Sequence, residues 1–442
     1  MLKKISLAKF KSFSDMKDLE LKNLTVVVGK NSCGKSSILQ SLLLLKQTLS
    51  SSSNYPLFLE GKYLKLSNLK EISFGLPPVN TAKIGYTFLF ESKNTTGSLE
   101  IEFKNKKIKD SYEIIIDKYV INVEKNDSSD EIDYKKLTTP QIRNMVEKYS
   151  FLEDRGTIVS HNVSYQKFIP DAIEITLEND EGKKNLVKLP IFILSDDGYA
   201  FTSELSESIK DIRYLSPVRA VPERAYVHYS QDVIELNEDG SNAAHILWSN
   251  QNKFVQWKGK KIKLKDAVNE CIELMGLSQK ISPDRIGDIL YKVGIQESVS
   301  RKDVSLADVG FGYSQILPVI IMGLINNKNN LMLLEQPEIH LHPSSSANLA
   351  DLFLSFVEND KRFIIETHSQ EFINRLRLRV IENPSLKDKI NIVFIETSNE
   401  SGASIKQFSI DENGMFPEWP DGFLDESENI AKSILNARLS RK

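Results

Sequence analysis

The sequence predicts an α/β fold with a mixed sheet, and three stretches carry that prediction. The first is Val26-Val27-Val28-Gly29-Lys30-Asn31-Ser32-Cys33-Gly34-Lys35-Ser36-Ser37, an apolar strand, a glycine-rich loop and a helix opening at Ser36. The second is Leu331-Met332-Leu333-Leu334-Glu335, a buried-type strand ending in a carboxylate. The third is Arg362-Phe363-Ile364-Ile365-Glu366-Thr367-His368-Ser369, another apolar strand with a polar end. Short continuous apolar runs fit strands covered on both faces of a parallel sheet. In open α/β sheets, ligands bind beyond the C-terminal ends of such strands.

The loop fits G-x-x-x-x-G-K-[ST] at every fixed position. Chemistry explains the spacing. Successive backbone N–H groups wrap phosphates, and only glycine lets the backbone turn and approach that closely. Lys35 is placed to reach β- and γ-phosphates, and the Ser36 hydroxyl to ligate Mg²⁺. The helix start points its positive end at the anion. Gly29, Lys30, Asn31, Ser32, Cys33, Gly34, Lys35, Ser36 and Ser37 are therefore candidate nucleotide contacts, with ATP and Mg²⁺ the expected ligands. Glu335 has the form of a strand-end acid that holds the Mg²⁺ shell.

Composition bounds the rest. The chain has 442 residues, 40% hydrophobic and 26% charged, which predicts a soluble globular protein. No apolar run reaches the roughly 18 residues of a membrane span. The start, Met1-Leu2-Lys3-Lys4-Ile5, is interrupted by Lys9, Lys11 and Asp15 and does not read as a signal peptide. Two cysteines, Cys33 and Cys271, make no disulfide framework, so a cytoplasmic location is expected. With a net charge of −3, DNA binding would need local patches or a dimer groove.

In chain order, residues 1–91 read as a short β-ribbon, the loop strand and its helix, whose apolar face is Ile38, Leu39, Leu42, Leu43 and Leu45. Residues 92–210 read as β-rich and inserted. Alternation at Ile84–Phe90, Leu99–Phe103 and Tyr112–Ile116 predicts half-buried antiparallel strands. Lys104 to Lys109 reads as a solvated hairpin tip or a phosphate contact, and 124–165 as an insertion holding a short helix at Ile142–Tyr149. Residues 211–300 are connecting and helical. There Arg213-Tyr214-Leu215-Ser216-Pro217-Val218-Arg219-Ala220-Val221-Pro222-Glu223-Arg224 makes a rigid basic turn, for surface ion pairs or for a phosphate or partner. Residues 258–265 predict a basic strand before a helix Asp266–Met275, as a guarded edge or a DNA contact. Within 301–400, Gly310-Phe311-Gly312-Tyr313-Ser314-Gln315 leads into an apolar helix Ile316–Ile325, either as an N-terminal cap or as a second phosphate-facing helix start. His340, His342 and His368 are weak evidence for a metal site without a fourth ligand. Residues 401–442 form a C-terminal appendix.

Together these motifs resemble the RecF/SMC/OLD branch of ABC-type ATPases, often grouped as AAA-family ATPases. The resemblance covers the N-terminal lobe and residues 210–442, and implies an ABC-type head with an antiparallel β subdomain and a helical signature lobe. Ala8-Lys9-Phe10-Lys11-Ser12-Phe13 resembles the opening strand that packs near the nucleotide base, which implicates Phe10 and Lys11. Gly310, Gly312, Ser314 and Gln315 match a signature that touches ATP held by an opposing subunit, which implies a homodimer or higher homo-oligomer. Glu335 matches the Walker B acid, His368 the switch histidine, and His340 to Pro343 the D-loop. Tyr214 to Arg224 and Trp419-Pro420-Asp421-Gly422-Phe423 resemble bacterial anti-phage defence ATPases of the Septu type, which implies a separate effector protein, a nuclease or a toxin.

The departures bear on chemistry. The family places a second acid after the Walker B acid, whereas this chain has Gln336. Glu338 could act as base, Gln336 could orient water as a glutamine does in GTPases, or hydrolysis is slow, the reading preferred. Residues 51–100 contain no glutamine for a Q-loop. Three functions follow: a defence sensor ATPase, a RecF/SMC-like DNA-repair ATPase that binds DNA, and a nucleotide-regulated scaffold. None involves a membrane.

Overall fold

The computed structural model describes residues 1–91, 95–125, 128–147, 156–227, 235–287, 289–296, 303–398, 402–416 and 426–439. The chain runs β1 (Leu2–Phe10), β2 (Phe13–Glu20), β3 (Leu24–Gly29), α1 (Lys35–Ser50), β4 (Lys83–Glu91), β5 (Thr96–Ile108), β6 (Ser111–Lys125), β7 (Ser128–Asp133) and α2 (Thr139–Glu147). It continues through β8 (Thr157–Gln166), β9 (Ile169–Glu178), β10 (Lys184–Pro190), α3 (Asp196–Lys210), β11 (Arg213–Leu215), β12 (Tyr226–Val227), α4 (Ala243–Asn250), β13 (Phe254–Trp257), β14 (Lys260–Lys263) and α5 (Leu264–Leu274). The remainder is β15 (Lys280–Ile286), β16 (Leu290–Gln296), β17 (Asp303–Ser305), α6 (Phe311–Ile325), β18 (Leu331–Glu335), α7 (Pro343–Val357), β19 (Arg362–Glu366), α8 (Gln370–Glu382), β20 (Ile390–Ser398), β21 (Gly402–Phe408) and α9 (Glu426–Leu439). Among the described residues no helix is long and apolar enough to cross a membrane.

These elements form two compact units that interleave in sequence. One comprises Met1–Leu21, Ser36–Ile212 and Thr397–Ser404. Its antiparallel strands run in the order β2-β1-β4-β5-β6-β7. Period-two alternation sets which face is buried: Ile84, Tyr86, Phe88 and Phe90 of β4 all point inward. Tyr86 stacks on Phe88 and meets Phe103 edge-on, and Phe103 meets Phe168 edge-on in turn. A second sheet, β10-β9-β8, and helices α1 (from Ser36), α2 and α3 also belong to this unit. Within the stretch 124–165, β7 pairs with β6 and β8 with β9, so it carries strands of both sheets. Strand β5 also runs through the lysine stretch to Ile108, and the turn falls at Lys109, with φ of 54°.

The other unit comprises Lys22–Lys35, Arg213–Glu396 and Ile405–Lys442. At its centre are five parallel strands in the order β11-β18-β19-β3-β20. Leu331–Leu334 and Phe363–Ile365 are buried, as strands covered on both faces must be. Helix α7 opens with Pro343 and takes His342 as its cap, and α8 is capped by Ser369, whose hydroxyl accepts from the Phe372 N–H at 3.0 Å. The basic stretch holds the expected strand, β14, directly before helix α5, and that strand is the second arm of a hairpin: β13 and β14 flank Lys258-Gly259, with φ of 47° and 72°. Helix α5 starts at Leu264, and α6 already at Phe311, so Gly312, Ser314 and Gln315 sit in its first turns.

Candidate nucleotide-binding site

The site is built at the C-terminal ends of the parallel strands. Strand β3 delivers Gly29, where φ is 152° and an added Cβ would lie 2.8 Å from both the Cys33 Sγ and the Ile395 carbonyl oxygen. Only glycine fits there. Ser32 and Gly34 adopt positive φ, 61° and 103°, the kind of turn in which successive backbone N–H groups can wrap an anion. Lys30, Asn31 and Ser32 remain exposed on the loop. The Lys35 side chain is buried, and its ammonium donates to the Gly29 carbonyl at 3.1 Å and the Lys30 carbonyl at 2.6 Å. It also lies 3.9 Å from the Cys33 thiol. Burial pushes that thiol up, and the Lys35 charge partly offsets the push. Ser36 and Ser37 follow in the first turn of α1.

The carboxylates come from neighbouring strands. Parallel pairing sets Glu335 of β18 directly beside Glu366 of β19. Register partners share a face, so two like charges adjoin, an arrangement a cation would stabilise. The Tyr214 hydroxyl on β11 donates to Glu335 Oε1 at 2.9 Å. Burial, then the Glu335 charge, hold the Tyr214 hydroxyl far above its usual range, so it stays protonated and keeps donating. Gln336 turns the chain out of β18 with φ of 44°, and its N–H donates to the Glu366 carbonyl at 2.7 Å.

The strand-end loops are tied together. Glu338 Oε1 accepts the His368 backbone N–H at 2.9 Å. Its Oε2 is buried without a hydrogen-bond partner among the described residues. Arg219 is also buried. Its Nη1 donates to Gln315 Oε1 at 3.4 Å, while Nε and Nη2 have no hydrogen-bond partner among the described residues. Burial brings Arg219 down to about 10 against the opposing pull of Glu338. His368 keeps part of its surface exposed, and partial burial of its ring together with the Lys35 charge lowers its pKa, which favours the neutral imidazole.

Lys35, Glu335, Gln336, Glu338 and His368 thus gather at one sheet edge. The signature residues divide. Among the described residues, an added Cβ at Gly310 would meet nothing within 4 Å, and at Gly312 only Leu341 at 4.0 Å, whereas Ser314 and Gln315 are buried. Phe10 is fully buried, with its ring 5.9 Å from Tyr86. The Lys11 ammonium donates to Gln40. His340, His342 and His368 join no metal-holding group of histidine, cysteine and acidic residues among the described residues. Trp419 to Phe423 lie outside the described residues. Sequence reading missed Glu366, although Leu331–Glu335 and Arg362–Glu366 end alike, and gave Tyr214 and Arg219 no individual role.

The donor set fits its expected ligands. The Ser36 hydroxyl and the Glu335 carboxylate are hard oxygen donors suited to Mg²⁺, and the Lys35 ammonium over a glycine-containing loop at a helix start suits polyphosphate.

A strand–loop–helix phosphate cradle beside a strand ending in a carboxylate defines an ATP-binding ATPase of the P-loop class. Residues 1–373 match the family model described as AAA ATPase domain, and the chain belongs to that family. Residues 387–432 match a second family, described as a protein of unknown function (DUF3696). No curated protein matches. Among solved structures, the chain is similar to the SMC head domain from Thermotoga maritima, with 14% identity, a TM-score of 0.41, and 92% of this chain and 98% of that one covered. It is also similar to an SMC head bound to the C-terminal winged-helix domain of ScpA, with 12% identity, a TM-score of 0.46, and 94% and 99% covered. A third is an SMC head with an extended coiled coil bound to the C-terminal domain of ScpA, derived from Pyrococcus furiosus, with 10% identity, a TM-score of 0.41, and 98% and 99% covered.

Proposed function

We propose that this protein is an ATP-driven switch that binds ATP with Mg²⁺, hydrolyses it slowly, and pairs with a second copy of itself across the bound nucleotide. The observation that carries this reading is the Lys35 ammonium held over its own loop by the Gly29 and Lys30 carbonyls. Phosphate oxygens would replace those two acceptors without moving the lysine far. Ser36 and Glu335 would hold Mg²⁺, which supplies charge neutralisation at the phosphate oxygens. The Tyr214 hydroxyl fixes the Glu335 carboxylate.

Slow turnover follows from the residues at the strand ends. Hydrolysis adds a water oxygen to the γ-phosphorus as the bond to the leaving β-phosphate oxygen breaks, and the water proton needs an acceptor. Gln336 supplies no base. Glu338 already accepts the His368 backbone N–H, which makes it a brace of the switch loop. The neutral His368 imidazole is left to hold or accept a proton.

A switch that turns over slowly is suited to control another protein. The resemblance of Tyr214 to Arg224 to phage-defence ATPases supports a sensor role with a separate effector, a nuclease or a toxin. A RecF/SMC-like role on DNA is the alternative, favoured by the exposed lysines of the β13–β14 hairpin. It calls for DNA-stimulated turnover that falls steeply with salt. Purification from the native operon, with the co-purifying protein identified, separates the two.

Lys35→Ala tests the foundation. Loss of the ammonium should weaken ATP binding at least about tenfold in calorimetry, the scale of a lost charge-assisted contact. Unchanged affinity sinks the reading.

A further inference from the structure

A cavity of about 420 Å³ opens in the unit that contains α3, and no phosphate-loop residue lines it. Its wall is formed by the β8–β9 turn, the end of β10 and one face of α3. Two lysines, Lys167 and Lys210, line it, and they repel each other: burial first, and the Lys210 charge second, hold the Lys167 ammonium below its usual range. The carboxylate in the wall, Asp171, is engaged by Lys188 at 3.6 Å. Lys210 enters no ion pair among the described residues. The lining therefore carries surplus positive charge in a concave setting, which favours an anion.

The position of Lys167 is fixed. It adopts a φ of 60°, strained for a residue with a side chain. Its N–H donates to Asn54 Oδ1 at 2.7 Å. Its ammonium donates to the Leu49 and Ser51 carbonyls at 2.6 and 2.7 Å, at the C-terminal end of α1. Capping that helix explains Lys167 alone. It explains neither Lys210 nor the two aromatic rings in the same wall. Phe192 is 40% and Tyr199 45% exposed, with ring centroids 6.2 Å apart and planes at 66°. Exposed aromatic faces beside paired cations suit a ligand that is planar at one end and anionic at the other. The volume falls within the range of about 300–1,000 Å³ that holds small ligands.

We propose that this cavity is a second nucleotide site, which takes a nucleoside monophosphate with its phosphate on Lys167 and Lys210 and its base on Phe192 and Tyr199. The site lies at the far end of α1, the helix that begins at the phosphate loop.

The test titrates AMP and, separately, inorganic phosphate into the full chain by calorimetry. The phosphate loop is first saturated with a non-hydrolysable ATP analogue and Mg²⁺. Wild type should bind one AMP, and bind it more tightly than phosphate. Lys210→Glu should weaken AMP about tenfold or more, the scale of a charge-assisted contact. Phe192→Ala should weaken AMP and leave phosphate binding unchanged. Lys167 is avoided, since its cap on α1 is structural. The proposal is overturned if wild type binds no AMP at millimolar concentration, if Lys210→Glu binds it as wild type does, or if phosphate binds as tightly as AMP.

Discussion

Gln336 is the residue at which this site parts from the pattern its motifs resemble. It stands one position past Glu335 in a left-handed conformation, φ 44°, and hands its N–H to the Glu366 carbonyl. The backbone turn is therefore built, and only the side chain differs from an acid. Gln336→Glu should leave the turn intact and raise ATP turnover at least about tenfold, within the range general bases contribute. Glu338→Gln should change turnover far less, because its Oε1 serves the His368 N–H. The reverse order in a steady-state assay would make Glu338 the base. Tyr214 acts one step further out. Tyr214→Phe removes the donor that orients Glu335, and losses of such outer partners typically cost about 10–100-fold in metal affinity. The Mg²⁺ concentration for half-maximal ATP binding should rise accordingly, and an unchanged value would show that Tyr214 only packs.

Among the elements, α7 and α8 meet through one charged clamp. Asp351 of α7 accepts from Arg375 at 2.7 Å and from Arg379 at 2.6 Å, both on α8. Burial raises the Asp351 carboxyl, but the guanidinium groups of Arg379 and Arg375 more than offset it and hold it below the usual carboxylate range. A carboxyl lowered in the folded state contributes stability above its unfolded value and loses it as pH falls through its folded value. Asp351→Ala should thus cost about 2 kcal/mol in urea unfolding at pH 7, allowing for the partial exposure of both arginines. The deficit should shrink on acidification below about pH 4. A deficit independent of pH would assign the loss to packing instead. How such elements were legible differs by case. Leu331–Glu335 and Arg362–Glu366 read as strands because continuous apolar runs need cover on both faces. Their register, Glu335 beside Glu366, was not legible, since it is fixed by tertiary pairing across the intervening α7. The β13–β14 hairpin was legible in principle: Lys258-Gly259 is a two-residue loop with glycine where φ must be positive, but the run of lysines hid the turn. At Phe10 the alternation was clear, yet nothing local says which face packs on Tyr86.

At the scale of the whole molecule, the question is whether one chain makes a complete site. The phosphate loop keeps Lys30, Asn31 and Ser32 exposed, and the signature keeps Gly310 open, with nothing among the described residues within 4 Å of an added Cβ. Both surfaces are thus free to be covered by a second copy, and a net charge of −3 opposes self-association only weakly. Gly310→Asp isolates that step. The residue has an ordinary φ of −54° in open space, so the fold should accept a side chain there. The new carboxylate would face a γ-phosphate presented by the other protomer and repel it. The variant should bind ATP with affinity close to wild type yet remain monomeric in sedimentation, whereas wild type should shift to a dimer with ATP and return as ATP is hydrolysed. A wild type that stays monomeric at saturating ATP, or a Gly310→Asp chain that dimerises as readily, would show that the signature face does not meet the nucleotide of a second copy.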